Sequence, residues 1–518
     1  MLKRTLLGSA ILLAGTPALA TPYMPMDARG LAMGNTGVAS ARLAHAPAYN
    51  PSLLSHRRDG DNFALLFPQI GINLADEEEV IDKGEEIGDD IMPRFADLFD
   101  DSVPGNLPDA VTNLGTAADD LATAIENNGD IAGASADFAD AISETQSVVS
   151  ELNNASTDLT DSLDAISGSP LRGRLGVSAA MAIPNDLIAI AVSARADANF
   201  SARSIFTDQD QNNILAYGQA TSEYLEAAAT ANTLVAALDE NSTVAEAEAA
   251  AAALDNLVNF ESVSSVTDNS GTSPVFENGD ISTAAEEPSF NSKVEIAAIA
   301  VAEVGLTLSK ALEIEGRKFA LGVTPKIQAV STYHYVGQMD EDDNPQEVEL
   351  EDSERTENHL NLDIGTAFYV DNMHKLRVGV VIQDLISKDF ELADVPVDGN
   401  GNGEVAEGGK VSIKPKVRAG VAYEGGWYNV AADLDITENE PLAYEDATQY
   451  LSIGGELDAF GWAQLRAGYR TNLAGDNNVV SLGAGVSPFG VHLDLALMAD
   501  IAKPEKEFGA AMEFGFYF

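Results

Sequence analysis

Apolar and polar residues alternate with a period of two through much of the C-terminal half. Tyr428, Val430, Ala432, Leu434 and Ile436 share one parity, and Asn429, Asp433 and Asp435 hold the other. Leu362, Ile364, Phe368 and Val370 alternate in the same way with Asn361, Asp363 and Gly365. Near the end Phe508, Ala510, Met512, Phe514, Phe516 and Phe518 fall on one parity. Side chains of a strand point alternately to opposite faces, so each segment is a strand with one apolar face. Runs of about ten residues also match the length of a tilted strand that crosses a bilayer.

The pattern predicts strands at 62–72, 174–183, 187–200, 293–309, 317–336, 358–371 and 375–385. Seven more follow at 414–424, 427–437, 449–459, 462–472, 478–488, 491–500 and 507–518. Fourteen is an even number, as expected of a single-chain bacterial barrel. Joints after even-numbered strands are short, for example Pro184–Asp186, Gly425–Gly426 and Phe489–Gly490. Those after odd-numbered strands tend to be longer, above all 73–173 and 201–292. Short turns at one rim and long loops at the other describe an outer-membrane barrel with its short turns in the periplasm. The expected fold is therefore all-β, a 14-stranded antiparallel transmembrane barrel spanning 61–518, in the outer membrane of a Gram-negative bacterium.

A two-residue loop at Gly425–Gly426 would set Arg418 opposite Asp433 and Lys416 opposite Asp435. A three-residue turn at Phe460–Trp462 would set Glu456 opposite Arg466. These charges lie on the non-apolar face and point to a polar lumen, with His492 and Asp494 as further members. Tyr423 and Tyr428 would sit on the outer face beside the short turn, where an aromatic ring suits the lipid–water boundary. The terminal Phe514, Phe516 and Phe518 resemble the signal by which barrel assembly machinery recognises its clients.

The chain opens with Lys3-Arg4, an apolar run from Leu6 to Leu13, and Ala18-Leu19-Ala20, which reads as a signal peptide over residues 1–20. No later segment has the apolar length of a membrane helix. With 29 Lys+Arg against 82 Asp+Glu the formal charge is −53, which argues against nucleic-acid binding. There is no Cys, so disulfides, thiolate metal sites and thiol nucleophiles are excluded. Signals for Ser-His-Asp catalysis, a phosphate loop or a zinc site are missing, and no enzyme is expected.

The run Met26-Asp27-Ala28-Arg29-Gly30-Leu31-Ala32-Met33-Gly34-Asn35-Thr36-Gly37 is followed by Ala48-Tyr49-Asn50-Pro51-Ser52. This resembles the N-terminal segment of the FadL-like barrels, the long-chain fatty-acid transporter superfamily. More narrowly, the chain is similar to exported barrels labelled conjugal-transfer TraF-like. A thioredoxin-like protein of the same name is excluded by the missing Cys. The resemblance implies that residues 21–60 form a hatch inside the barrel, with Arg29, Gly30, Met33, Gly34, Gly37, Asn50 and Pro51 as its motif. It also implies passage of small hydrophobic, fatty-acid-like ligands. The glycines permit close backbone approach and positive φ, and Asn50-Pro51 suits a turn before the first strand.

Segment 75–172 holds 24 Asp/Glu and 3 Lys/Arg. Leu107, Val111, Leu114, Ala118, Leu121 and Ile125 step by fours and threes, and Phe138, Ile142, Thr145, Val149 and Leu152 resume the pattern. That spacing predicts an antiparallel helical hairpin. A second helical pair is expected within 201–292, with its turn at Asp239–Ser242. Both insertions would lie outside the cell. Asp398, Asn400 and Asn402, with Glu404 and Glu407, resemble the first part of a Ca²⁺ loop, but the acid at position twelve is missing, since Gly409 stands there. Otherwise no cofactor is expected.

Together these features predict an outer-membrane channel for small hydrophobic compounds. The alternatives are a surface protein for conjugal transfer or cell contact, anchored by its barrel, and a soluble exported sheet protein. The expected partners are outer-membrane lipid, the assembly machinery and a hydrophobic ligand.

Overall fold

The computed structural model describes residues 24–518, except 57–61, 101, 128, 239–241, 269–270, 287–290, 315–316, 339–349, 372, 398–403, 440–443 and 445–446. The signal-peptide reading at 1–20 lies outside the described residues. So do Asp398, Asn400 and Asn402 of the calcium-like loop. Glu404, beside that loop, pairs with Lys293 at 2.5 Å.

Fourteen strands close into one antiparallel barrel among the described residues. We number them β1 (Ala64–Ala75), β2 (Pro170–Ile183), β3 (Ala189–Ile205), β4 (Lys293–Ile314), β5 (Arg317–Gln338), β6 (Arg355–Tyr369) and β7 (Leu376–Gln383). The rest are β8 (Lys416–Glu424), β9 (Tyr428–Asp435), β10 (Tyr450–Ala459), β11 (Ala463–Asn472), β12 (Asn478–Val486), β13 (Val491–Asp500) and β14 (Glu507–Tyr517). Every strand pairs with its sequence neighbours, and β1 pairs with β14 from Ala64↔Tyr517 to Ala75↔Glu507, which completes the ring. No sheet edge is left in the wall, as lipid requires.

Alternation then sorts the side chains. Leu465, Leu482, Leu495 and Leu497 are exposed on the outer face. Arg418, Asp433, Glu456, Arg466 and Asp494 are buried inside. Trp427, Phe460, Trp462, Phe489 and Phe518 project outward at the short-turn rim, beside the stacked Tyr423 and Tyr428. Both tryptophans of the chain belong to this band. It marks that rim as a membrane interface. Phe460-Gly461 and Phe489-Gly490 each have positive φ at both positions, the conformation of a tight hairpin turn.

The register after β8 differs from the sequence expectation. Glu424 pairs with Asn429, and Gly425 N–H donates to the Tyr428 carbonyl, so the turn takes in Trp427 and Tyr428 as well. Arg418 therefore faces Asp435, and Gly420 faces Asp433. The shift is two residues, which keeps every side chain on its expected face. Lys416 pairs with Asp384 rather than Asp435. Glu456 does face Arg466, as the three-residue turn predicts.

The two insertions form a joint crown. The long helices are α2 (Leu107–Glu126), α3 (Ile131–Ile166), α4 (Asp208–Ala236) and α5 (Val244–Val258); α1 (Ala28–Ala32) belongs to the N-terminal segment. The apolar faces read from the sequence are buried: Leu107, Leu114 and Leu121 of α2 meet Phe138 and Leu152 of α3. The same core takes in Tyr217, Tyr224 and Ala228 of α4 and Leu254 of α5. The loops after β1 and β3 leave the same rim of neighbouring hairpins, so the two helical pairs share one core. A further two-stranded hairpin, Lys388–Glu391 with Lys410–Ile413, packs Phe390 and Val411 against the inward residues Ala297, Ile299 and Val301 of β4. The sequence pattern places a loop at 386–413, so this hairpin is an addition to the expected fold.

Phe138 is fully buried in the crown. Phe138→Ala is expected to destabilise the crown by about 3–5 kcal/mol, as large core truncations do. Limited proteolysis should then cut within 76–169 while heat-modifiable mobility of the barrel stays unchanged.

Candidate functional site

The N-terminal segment from Met24 to Leu54 lies inside the barrel and is almost wholly buried. Each residue of its motif has a physical task. Asp27 caps α1 by accepting from Gly30 N–H at 2.7 Å, and its other oxygen accepts from the Tyr49 hydroxyl at 2.6 Å. Tyr49 lies against Gly30 and Gly37; a Cβ on either would overlap its ring or hydroxyl. Gly34 has φ +67 and abuts the Tyr469 backbone. Asn50 caps the short helix Pro51–Ser55 through Ser52 N–H, and its amide nitrogen donates to the Val38 carbonyl at 2.9 Å.

The wall receives the segment on glycines. A Cβ on Gly322 or Gly365 would meet Asn50 or Pro51, one on Gly379 or Gly420 would meet Val38, and one on Gly454 or Gly468 would meet Met33 or Gly34. These glycines are direct cross-strand partners: Gly322↔Gly365, Gly379↔Gly420 and Gly454↔Gly468. Backbone thus packs on backbone around much of the inner wall.

Charge fixes the same segment. Glu456 accepts from Arg29 at 3.0 Å, Arg42 at 2.8 Å and Arg466 at 2.7 Å, and Arg466 also pairs with Asp494. Asp433 accepts from Gly37 N–H at 2.7 Å and Val38 N–H at 2.9 Å. Arg418 pairs with Asp435 and donates to the Asn35 carbonyl at 3.3 Å. Of the lumen residues proposed from sequence, Arg418, Asp433, Asp435, Glu456, Arg466 and Asp494 therefore gather around the hatch. Lys416 belongs to another cluster, where Lys326 bridges Asp384, Asp363 and Glu303 at 2.8–3.3 Å. His492 shares a face with Asp494 but lies against the tilted Tyr517 ring, 4.5 Å between centroids, instead of joining the ion pairs. Phe514, Phe516 and Phe518 lie in sequence on the outer face, with ring centroids 5.0 and 6.4 Å apart.

One cluster had no sequence signal, because its members come from opposite ends of the chain. His45 Nε2 lies 3.1 Å from Glu513 and 3.5 Å from Asp27. The three are buried and close enough together to be considered as metal ligands. Asp27 is already engaged by Gly30 and Tyr49, and Glu513 by Gln69, so the arrangement fits an internal ion-pair lock. Burial alone would lower the His45 pKa, but Glu513 and Asp27 reverse this and hold it above the ordinary imidazole value. Burial raises the Asp27 carboxyl, with His45 opposing.

The hatch, the Lys326 cluster and the mouth hairpin all occupy the interior of the barrel. Small residues cluster in the wall at β10–β12. There Gly454 and Gly455 pair with Gly468 and Ala467, and Gly483-Ala484-Gly485 of β12 lies opposite Arg466, Leu465 and Gln464. Inside that stretch α1 packs Ala28, Leu31 and Ala32 on Val479 and Ala496. Outside it runs an apolar trough of about 1310 Å³, from Trp427 at one rim to Pro504 and Phe508 at the other.

These features define the class: a plugged transmembrane β-barrel. The sequence matches the family described as "F plasmid transfer operon, TraF, protein" over residues 47–435. That is more than half of the chain, which belongs to this family. No curated protein matches it. Among solved structures, the toluene transporter TbuX of Ralstonia pickettii is similar at 9% identity and a TM-score of 0.44, with 96% of this chain and 99% of that chain covered. The toluene transporter TodX of Pseudomonas putida is similar at 10% identity and a TM-score of 0.35, covering 96% and 98%. At such similarity, function rests on this chain's own residues.

Two outcomes are expected. Glu456→Ala leaves the buried guanidiniums of Arg29 and Arg466, and the part-buried one of Arg42, short of a partner and should cost about 3–5 kcal/mol. Single barrels in planar bilayers should then show frequent open events that the wild type lacks. Second, His45 and Asp27 both have raised folded pKa values, so at these two sites the folded chain holds more protons than the unfolded one. The His45 contribution is complete below about pH 6.5 and is lost as pH climbs through its folded value. The thermal midpoint should fall from about pH 6 to about pH 9, and His45→Gln should flatten that slope.

Proposed function

We propose that the chain is an outer-membrane barrel of a Gram-negative bacterium that admits small hydrophobic compounds, which cross its wall at β10–β12. The observation that carries this reading is the cluster of small residues in the wall at β10–β12, with an apolar trough outside and the hatch helix inside. An open porin would need a wet axis, and here the axis is filled. A hydrophobic solute gains by staying out of water along its path, and the trough offers such a surface over the height of the barrel. The strand ladder is continuous there, so passage requires β10–β12 to part locally while the hatch shifts. The FadL-like motif supports the same reading. Phe514, Phe516 and Phe518 would present the chain to the barrel assembly machinery.

The crown favours a second reading, a surface structural protein active in conjugal transfer or cell contact. Four long helices with their own core exceed what a lid requires.

One experiment separates the two. Ala467→Trp fills the trough with apolar bulk and should leave membrane insertion intact. Cells carrying it should take up radiolabelled toluene several-fold more slowly than cells with the wild-type chain. Equal uptake by wild type and empty vector would reject the channel. Loss of cell contact after deletion of 107–166, with uptake unchanged, would favour the surface role.

A further inference from the structure

Below the hatch, at the short-turn rim, a separate polar pocket of about 320 Å³ opens between Arg42, Arg377, Tyr369, His492 and Tyr517. Two imidazole–phenol pairs wall it, His56–Tyr369 at 5.3 Å and His492–Tyr517 at 4.5 Å between ring centroids. Arg377 is the unusual member. It is only 7% exposed, yet has no carboxylate within ion-pair distance among the described residues. Its Nε donates to the Ala39 carbonyl at 2.6 Å, its Nη1 reaches the Tyr369 hydroxyl at 3.5 Å, and the guanidinium lies 5.7 Å from the Tyr369 ring centroid. By contrast Arg29, Arg418, Arg466 and Arg470 are all paired with acids.

In a chain with 82 acidic residues, a buried guanidinium left without one calls for explanation. A charge out of water is costly until an opposite charge or enough dipoles meet it. The guanidinium fork matches a carboxylate in shape and charge. Arg42 adds positive potential from the hatch side, although Glu456 already binds it. The remaining acids of the pocket, Glu424 and Asp458, are less buried than Arg377, and Asp458 accepts from Gln464 at 3.4 Å. They disfavour a ligand of higher negative charge. Flat aromatic walls suit a planar ligand.

We propose that this pocket binds a small monoanionic carboxylate from the periplasmic side, with Arg377 as its principal ligand-binding residue. The site is distinct from the apolar trough and does not depend on the uptake reading. Because Arg377 also holds the Ala39 carbonyl, an occupant would sit directly against the underside of the hatch.

The test is calorimetric titration of the full chain in detergent with benzoate, the neutral benzamide and inorganic phosphate. Benzoate should bind, and benzamide and phosphate should bind much more weakly. Arg377→Gln should weaken benzoate by about tenfold or more, the worth of a charge-assisted hydrogen bond. Lys503→Gln, at the opposite rim, should bind as the wild type does. Absence of benzoate binding, equal binding of benzamide or phosphate, or an Arg377→Gln chain that binds normally would each overturn the proposal. Should Arg377→Gln fail to fold, the wild type still decides. Benzoate should protect Arg377 from dicarbonyl modification read by peptide mass spectrometry, and unchanged labelling would overturn the assignment.

Discussion

Backbone N–H and C=O groups cannot be left unpaired in hydrocarbon, and the whole architecture follows from meeting that condition with strands. Pairing β1 with β14 removes the last edge. Once the ring is closed, one parity of every strand faces lipid and the other faces a confined interior. The outer parity becomes Leu, Ile, Val and aromatic residues. The inner parity can carry Arg418, Glu456 and Arg466 only because each finds an opposite charge there. Buried ions of this kind add specificity of position more than net stability, and here they specify where the hatch sits.

Hatch and wall are matched by subtraction as much as by attraction. Inner glycines on neighbouring strands remove the side chains that would hold the hatch off, so its backbone rests on theirs. Asp433, Arg418 and Glu456 then meet the hatch's exposed N–H, C=O and guanidinium groups. Close steric fit and directed polar contacts together seat a segment that contains only short helical turns. At β10–β12 the same economy of side chains seats Met33, Gly34 and Ala32 of the hatch directly against Gly454, Gly468 and Gly483.

Much of this was legible in the sequence. Period-two alternation found the strands, because a barrel wall has one environment on each face. Helical spacing found α2 and α3, because Leu114 and Phe138 lie on one apolar stripe. What spacing cannot state is who faces that stripe, and the shared core of α2–α5 depends on two loops leaving adjacent hairpins. The Gly425–Gly426 register was misread because Tyr428, apolar enough for a strand, starts the strand while its carbonyl still closes the turn. The Lys388–Glu391 hairpin was missed because four residues are too few to show a period. His45, Asp27 and Glu513 meet only in the folded chain.

The order of the chain gives the hatch one further property. It is synthesised before the first strand, yet it touches wall residues from β5 to β14. The last strand, through Glu513, closes on His45 of that first segment. The seat of the hatch is therefore complete only once the last strand is in place, so plugging the lumen and closing the ring share residues at the two ends of the chain.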